Sequence, residues 1–60
     1  MTITMQDFRA AKKAVKKQGV ADLSAADRVA REVLVARCPK ANAFLIRDMA
    51  WQVVMSVKCG

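Results

Sequence analysis

The chain has 60 residues with 11 Lys and Arg, 5 Asp and Glu, no His and two Cys, which give a formal charge of +6. A domain of this length buries only about 60% of the surface that its unfolded chain exposes, so association with another chain would stabilise it. Without histidine and with two thiols it lacks the ligands of a four-coordinate zinc site, and the sequence indicates no metal, no cofactor and no enzyme.

Helix-forming residues dominate the sequence, and the main breakers are Gly19, Pro39 and Gly60. This pattern predicts an all-α fold: one compact domain over residues 1–60, with three helices at about 4–18, 24–38 and 42–58. The N-terminus lacks a basic segment followed by an apolar one. We therefore expect no secretory signal, and a cytoplasmic location with reduced thiols.

The first helix is predicted to start near Thr2 or Thr4 and to end at Gly19. Thr4 precedes Asp7 by three residues, which is the spacing of a capping box. At about 100° per residue, one side of this helix is apolar: Phe8, Ala11 and Val15. The other side carries a basic stripe: Arg9, Lys12, Lys13 and Lys16. The stripe is a candidate face for anionic partners such as nucleic acid, although charged outer faces are usual on surface helices. Because no aromatic residue lies between the lysines, it would bind phosphates without sequence preference.

The second helix is predicted to begin after Ser24 as its cap, with Asp27 in the first turn, and to end before Pro39. Its apolar side is broad and rich in alanine: Ala25, Ala26, Val29, Ala30, Val33, Leu34 and Ala36. Two i,i+4 ion pairs are expected on the opposite side: Asp27 with Arg31, and Arg28 with Glu32. These features are typical of an ordinary core-facing helix.

The two cysteines lie at the predicted ends of the second and third helices. If these helices pack antiparallel, Cys59 lies on the order of 25 Å from Cys38, which is too far for an intrachain disulfide. A thiolate at Cys38 is conceivable because Arg37 and Lys40 would lower its pKa, although an inert helix-end cysteine is the commoner case.

The third helix, capped by Asn42, carries more apolar surface than the other two helices can cover. Its main arc should form the core: Leu45, Ile46, Met49, Ala50, Val53, Val54 and Val57. A second stripe lies within about 40° on a separate face: Phe44, Trp51 and Met55. Arg47 and Lys58 flank this stripe. Aromatic residues beside arginine are typical of protein interfaces, and we predict these five residues as an interface. In the alternative interpretation the stripe completes the core of the monomer.

These observations favour a small non-enzymatic regulator that binds another protein and blocks or redirects it, similar in size and character to inhibitors carried by phages and other mobile elements. A homodimer, in which two copies bury each other's stripe, is the least demanding association.

Two alternatives stay open. The chain could be a small basic nucleic-acid-binding protein, nonspecific or helix-turn-helix-like, although only Asn42 and Arg47 of the third helix suit base contacts. It could also bind a membrane surface through the third helix, which Arg47 and Asp48 interrupt and which is too short to span a bilayer.

Overall fold

Three helices follow one another along the chain with short connections. A computed structural model describes residues 3–59. Within that range it contains three helices and no strand: α1 Met5–Gln18, α2 Leu23–Arg37 and α3 Ala43–Cys59. The predicted all-α architecture is confirmed, and each predicted helix end lies within one residue of the observed one. Thr2 and Gly60, which the sequence suggested as limits of the first and third helices, lie outside the described residues.

Helix α1 begins and ends at the predicted signals. Thr4 is the N-cap: its Oγ1 accepts a hydrogen bond from the Asp7 backbone N–H at 3.3 Å, and the Asp7 carboxylate accepts one from the Thr4 backbone N–H at 3.1 Å. This reciprocal pair is the predicted capping box. At the other end, Gly19 has a φ of 90° and its N–H donates to the Val15 carbonyl at 2.8 Å. An added Cβ at Gly19 would have no neighbour within 4 Å, so the positive φ alone favours glycine there.

Helix α2 has a different cap from the predicted one. Asp22 is the N-cap, and its Oδ1 accepts hydrogen bonds from the N–H of Ser24 at 3.0 Å and of Ala25 at 3.3 Å. The prediction that Ser24 caps this helix is therefore wrong. A carboxylate is as good a capping group as a hydroxyl, and its negative charge also interacts favourably with the positive end of the helix dipole. The earlier start brings Leu23 into the helix, where it packs partly buried against the core.

The other predicted limits of α2 and α3 are observed. Helix α2 ends at Arg37, with Cys38 as its C-cap just before Pro39. Ahead of α3, the Asn42 side-chain oxygen accepts a hydrogen bond from the Phe44 N–H at 2.7 Å, which confirms Asn42 as the capping residue.

The core consists mainly of small side chains. Its buried members are Ile3, Ala11, Val15, Ala26, Ala30, Leu34, Cys38, Ile46, Ala50, Val53 and Val54. Alanine lets the helices approach closely, and Leu34 is the largest side chain that is fully buried. The predicted arc of α3 is confirmed, since its other members, Leu45, Met49 and Val57, pack partly buried against this core. Ala36 was predicted on the apolar side of α2 but is exposed, because it lies at the margin of the buried arc in the last turn.

A polar cluster joins the start of α1 to the end of α2. The Asp7 carboxylate accepts hydrogen bonds from Arg37 Nε at 2.8 Å and from the Cys38 thiol at 3.1 Å, besides those from Thr4. These hydrogen bonds, led by that from Arg37, hold the pKa of Asp7 well below its usual range. The hydrogen bond to Asp7, together with burial, raises the pKa of the Cys38 thiol. The expected lowering of the Cys38 pKa is therefore wrong in net direction: the positive charge of Arg37 does lower it, but the hydrogen bond to Asp7 and burial outweigh that effect.

Helices that follow one another along the chain run antiparallel around the core. The Asp7 to Arg37 contact brings the start of α1 beside the end of α2. Asp27 lies beside Trp51 and Val35 beside Phe44, so α2 and α3 also run in opposite directions. The Cα radius of gyration is 10.1 Å, close to the roughly 10 Å of a compact chain of this length. Among the described residues, no helix is both long and apolar enough to cross a membrane.

Candidate protein-binding surface

The predicted stripe of α3 divides into an exposed part and a partly buried part. Phe44 is 74% exposed and Trp51 is 49% exposed. Met55 is only partly exposed and packs against the core. Every residue from 53 to 57 is buried or partly buried, so this segment of α3 presents no fully exposed face. The alternative interpretation, that the stripe belongs to the core, thus applies in part to Met55 and Trp51, whereas Phe44 is largely exposed.

Helix α2 contributes a further exposed apolar residue, which the sequence analysis did not single out. Val35 is 48% exposed and lies on the charged side of α2, one turn after Arg31 and two turns after Asp27. An isolated valine on a charged helix face is a signal that the helical wheel could have shown. Its importance depends on the adjacent helix, because Val35 and Phe44 line one common depression.

Between α2 and α3 lies a shallow groove, here called the α2–α3 groove. It is formed by two rows of side chains that lie side by side, one on each helix: Asp27, Arg31 and Val35 on α2, and Phe44, Arg47 and Trp51 on α3. At one end a depression of about 430 Å³ is mostly apolar. Besides Arg31 and Arg47, its lining residues are Val35, Pro39, Ala41, Ala43, Phe44 and Ile46. At the other end Trp51 lies beside Asp27, Asp48 and Gln52. Arg47 lines both ends.

The two arginines of the groove differ in their partners. Arg31 Nη2 contacts Asp27 Oδ2 at 2.7 Å, which confirms one predicted ion pair of α2. The other predicted pair, Arg28 with Glu32, is also present at 3.5 Å and is strongly exposed, so its contribution to stability is small. Arg47 is exposed and makes no ion pair with any residue in the described range 3–59. Its guanidinium is therefore free for an anionic group from outside.

The basic stripe of α1 forms a separate surface. Arg9, Lys13 and Lys16 are exposed and Lys12 is partly exposed. Lys17, which the sequence interpretation left out, is exposed beside them. None of these five takes part in an ion pair with the described part of the chain. Each of the three helices packs on the other two, so the α2–α3 groove faces away from α1, and the two surfaces lie on different sides of the molecule.

The remaining predicted interface residue, Lys58, is exposed near the end of α3, away from the aromatic pair. Met5 is a further exposed apolar side chain, at 68%, and lies near Phe8, Met49 and Gln52 rather than in the groove. It matches Phe44 in exposure and hydrophobicity, so Met5 provides a control for variants of the groove.

No family model matches the chain, and neither a curated protein nor a solved structure matches it. Across residues 3–59, no group of three or more Cys, Asp and Glu side chains could hold a metal ion. Asp7, the one buried carboxylate in that range, already has protein partners for its oxygens. Among the described residues, the aromatic pair Phe44 and Trp51 beside Arg47 remains exposed, as do Val35 and Met5.

Proposed function

We propose that this protein is a small non-enzymatic regulator that binds another protein through the α2–α3 groove and thereby blocks or redirects it. The observation that carries the proposal is the exposure of Phe44 and Trp51 on one face of α3. Burying a large apolar side chain stabilises an association by about 2 kcal/mol. Tryptophan and arginine are also the side chains that most often dominate binding energy at interfaces.

A partner capture with single substitutions tests the proposal. The tagged chain, and its Phe44→Ala, Trp51→Ala and Met5→Ala variants, would be produced in the native cell and purified with whatever protein accompanies them. We expect one protein to accompany the wild type and the Met5 variant in stoichiometric amounts, and to be lost from both groove variants. Addition of the purified chain should then change the activity of that protein. Equal recovery with all four chains would contradict the proposal.

A second copy of this chain is an alternative occupant of the same groove. An isologous interface would bury Phe44 and Trp51 of both copies together, which supports the homodimer expected from the sequence. Solution mass measured across protein concentration tests this form. A dimer that dissociates on Trp51→Ala would support it, and a monomer at every concentration would contradict it.

Nucleic-acid binding is the second candidate function, supported by the basic stripe of α1. Arg9 with Lys13, Lys12 with Lys16, and Lys13 with Lys17 are like-charge pairs at i,i+4. Each such pair destabilises a helix by about 0.3 kcal/mol, so repulsion within the basic stripe destabilises α1. Phosphates would relieve this repulsion. The apolar side of α1 is used in the core, where Ala11 and Val15 are fully buried, which favours phosphate binding by α1 over its own insertion into a membrane surface.

Titration of duplex DNA and RNA at several salt concentrations tests this candidate. Affinity should fall steeply with salt and weaken further on neutralising Lys12, Lys13 and Lys16. Groove variants such as Phe44→Ala should bind normally. Binding that is undetectable at low salt would remove this function from consideration.

A further inference from the structure

We infer that the Phe44 end of the α2–α3 groove recognises an acidic segment of another protein, one that places a bulky apolar side chain next to one or more carboxylates. The inference rests on the proposed function and specifies the partner's chemistry. It follows from three features of the described residues: the apolar lining, the unpaired cation and the distribution of charge along the groove.

The apolar lining sets the first requirement. Val35 and Phe44 form the walls of the depression, the buried Ile46 lies beneath them, and Pro39 and Ala43 complete the lining. A leucine, phenylalanine or tryptophan side chain would cover both exposed walls, whereas a phosphate group would leave them in contact with water.

Arg47 sets the second requirement. It lies one turn after Phe44 and one turn before Trp51 on α3, so an occupant that contacts either aromatic residue passes the guanidinium. A planar guanidinium pairs with a carboxylate through two parallel hydrogen bonds, and such charge-assisted bonds strengthen when water is excluded. Arg31 is already occupied by Asp27, which leaves Arg47 as the anchor for an incoming carboxylate.

The charge distribution favours a foreign acidic segment over a second copy. The lining of the Phe44 end includes two arginines and no acidic residue, whereas Asp27 and Asp48 lie at the Trp51 end. Arg47 lines both ends and Arg31 already compensates Asp27, so the uncompensated carboxylate of the lining is that of Asp48, at the Trp51 end. An acidic segment is therefore favoured at the Phe44 end, away from Asp48. A second copy carries the same charge of +6, so long-range repulsion opposes its approach, while the same charge attracts an acidic partner.

Selection from a library of random 12-residue displayed peptides tests the inference on the full-length chain. Peptides that bind the immobilised wild type would then be passed over the Phe44→Ala variant, which removes those whose binding does not depend on Phe44. The remaining peptides would be sequenced and synthesised. We expect enrichment of Asp and Glu within two positions of Leu, Phe or Trp. Binding to Arg47→Gln should be about tenfold weaker than to wild type, and salt should reduce binding to wild type more than to this variant.

Matched controls separate a built site from general attraction. Arg9→Gln removes an exposed, unpaired cation outside the groove, and Met5→Ala removes an exposed apolar side chain outside it. Both should bind the selected peptides within about twofold of wild type. Circular dichroism would verify that all variants keep the helical content of the wild type.

Several results would overturn the inference. The selection itself would contradict it if no peptide were enriched, or if the enriched peptides had no excess of acidic residues. The variants would contradict it if Arg47→Gln bound the peptides as well as wild type, or if Arg9→Gln weakened binding as much as Arg47→Gln. A wild-type dimer that buries Phe44 would also contradict it. A native partner that requires Phe44 and Trp51 but binds Arg47→Gln normally would leave the proposed function standing and this inference refuted. The absence of any partner that depends on the aromatic pair would refute both.

Discussion

Asp7 accepts four hydrogen bonds, two of them from residues at the end of α2, 30 and 31 positions along the chain. The donors are the Thr4 N–H, the Thr4 hydroxyl, Arg37 Nε and the Cys38 thiol, at 2.8 to 3.1 Å. Because all four favour the ionised carboxylate, the pKa of Asp7 is lowered in the folded state. Its contribution to stability is therefore fully present above the unfolded-state pKa of about 4 and is lost as the pH falls through the folded-state pKa.

An acid titration of stability tests this role. We expect the free energy of unfolding of the wild type to decrease steadily below about pH 4. Asp7→Asn should be less stable than the wild type at pH 7 and should show a flatter decrease on acidification. Asp48→Asn is the matched control, since Asp48 is exposed and makes no ion pair within residues 3–59. Parallel curves for wild type and Asp7→Asn would show that Asp7 is not linked to folding.

The two cysteines should differ in reactivity because their surroundings differ. Cys38 is buried with a thiol that donates to Asp7, and the raised pKa keeps it protonated, whereas Cys59 is exposed. The thiolate is the reactive form. At pH 8, a thiol reagent should therefore modify Cys59 quickly and Cys38 only after denaturant is added, as mass spectrometry of the labelled fragments would show. Rapid labelling of both cysteines in the native protein would contradict this arrangement.

At the scale of the helix, the two capping candidates of α2 can be separated by substitution. Asp22→Ala removes both side-chain hydrogen bonds to the first turn and should destabilise the protein by about 1 kcal/mol. Ser24→Ala should change the free energy of unfolding by less than about 0.5 kcal/mol, because Ser24 is exposed inside the helix. Urea unfolding of both variants measures the difference. A larger loss for Ser24→Ala would restore the cap predicted from the sequence.

Helix α1 should gain stability when its basic stripe is interrupted. Lys13 lies four residues after Arg9 and four before Lys17, so Lys13→Glu converts two repulsive pairs into two attractive ones. We expect stabilisation by about 1 kcal/mol at low salt, decreasing as salt screens the charges. Lys40→Glu is the control, since it changes the net charge equally in the connector before α3. Equal effects of the two variants would indicate net charge, not local pairing, as the cause.

The ends of the helices could be predicted because their signals are local. Each signal acts on backbone groups within a few residues, and each is observed at a helix end: Thr4 with Asp7, Gly19 and Asn42. The cap of α2 was missed because Asp22 and Ser24 are both good capping residues two positions apart. Which of the two residues caps the helix depends on whether Leu23 packs against the core. That is a tertiary effect, which local preference does not determine.

Contacts between helices were beyond what the sequence pattern could show. The ion pair from Asp7 to Arg37 links residues 30 positions apart, so no periodicity indicates it. In the same way, the aromatic stripe of α3 and the isolated Val35 of α2 are each visible on a helical wheel, but their meeting in one groove is not. Val35 becomes part of that surface only through the antiparallel packing of α2 against α3.

On the scale of the whole molecule, the core and the proposed binding surface use largely different residues, with the buried Ile46 common to both. Leu34 is fully buried between the helices, whereas Phe44 is the most exposed of the large hydrophobic side chains described. Stability and binding should therefore respond to separate substitutions. Arg9 and the other basic residues of α1 lie on a third side, so variants there should affect neither property strongly at moderate salt.

Thermal unfolding of Leu34→Ala and Phe44→Ala tests this separation. Removing a fully buried leucine costs about 2–5 kcal/mol, and a 60-residue domain has only about 3–9 kcal/mol in total. Leu34→Ala should thus be largely unfolded at 37 °C by circular dichroism, and any loss of binding would follow from unfolding. Phe44→Ala should change stability by less than about 0.5 kcal/mol, so its loss of binding would report the groove itself. A melting temperature lowered by Phe44→Ala as much as by Leu34→Ala would mean that Phe44 supports the fold, and the aromatic pair would then no longer indicate a partner.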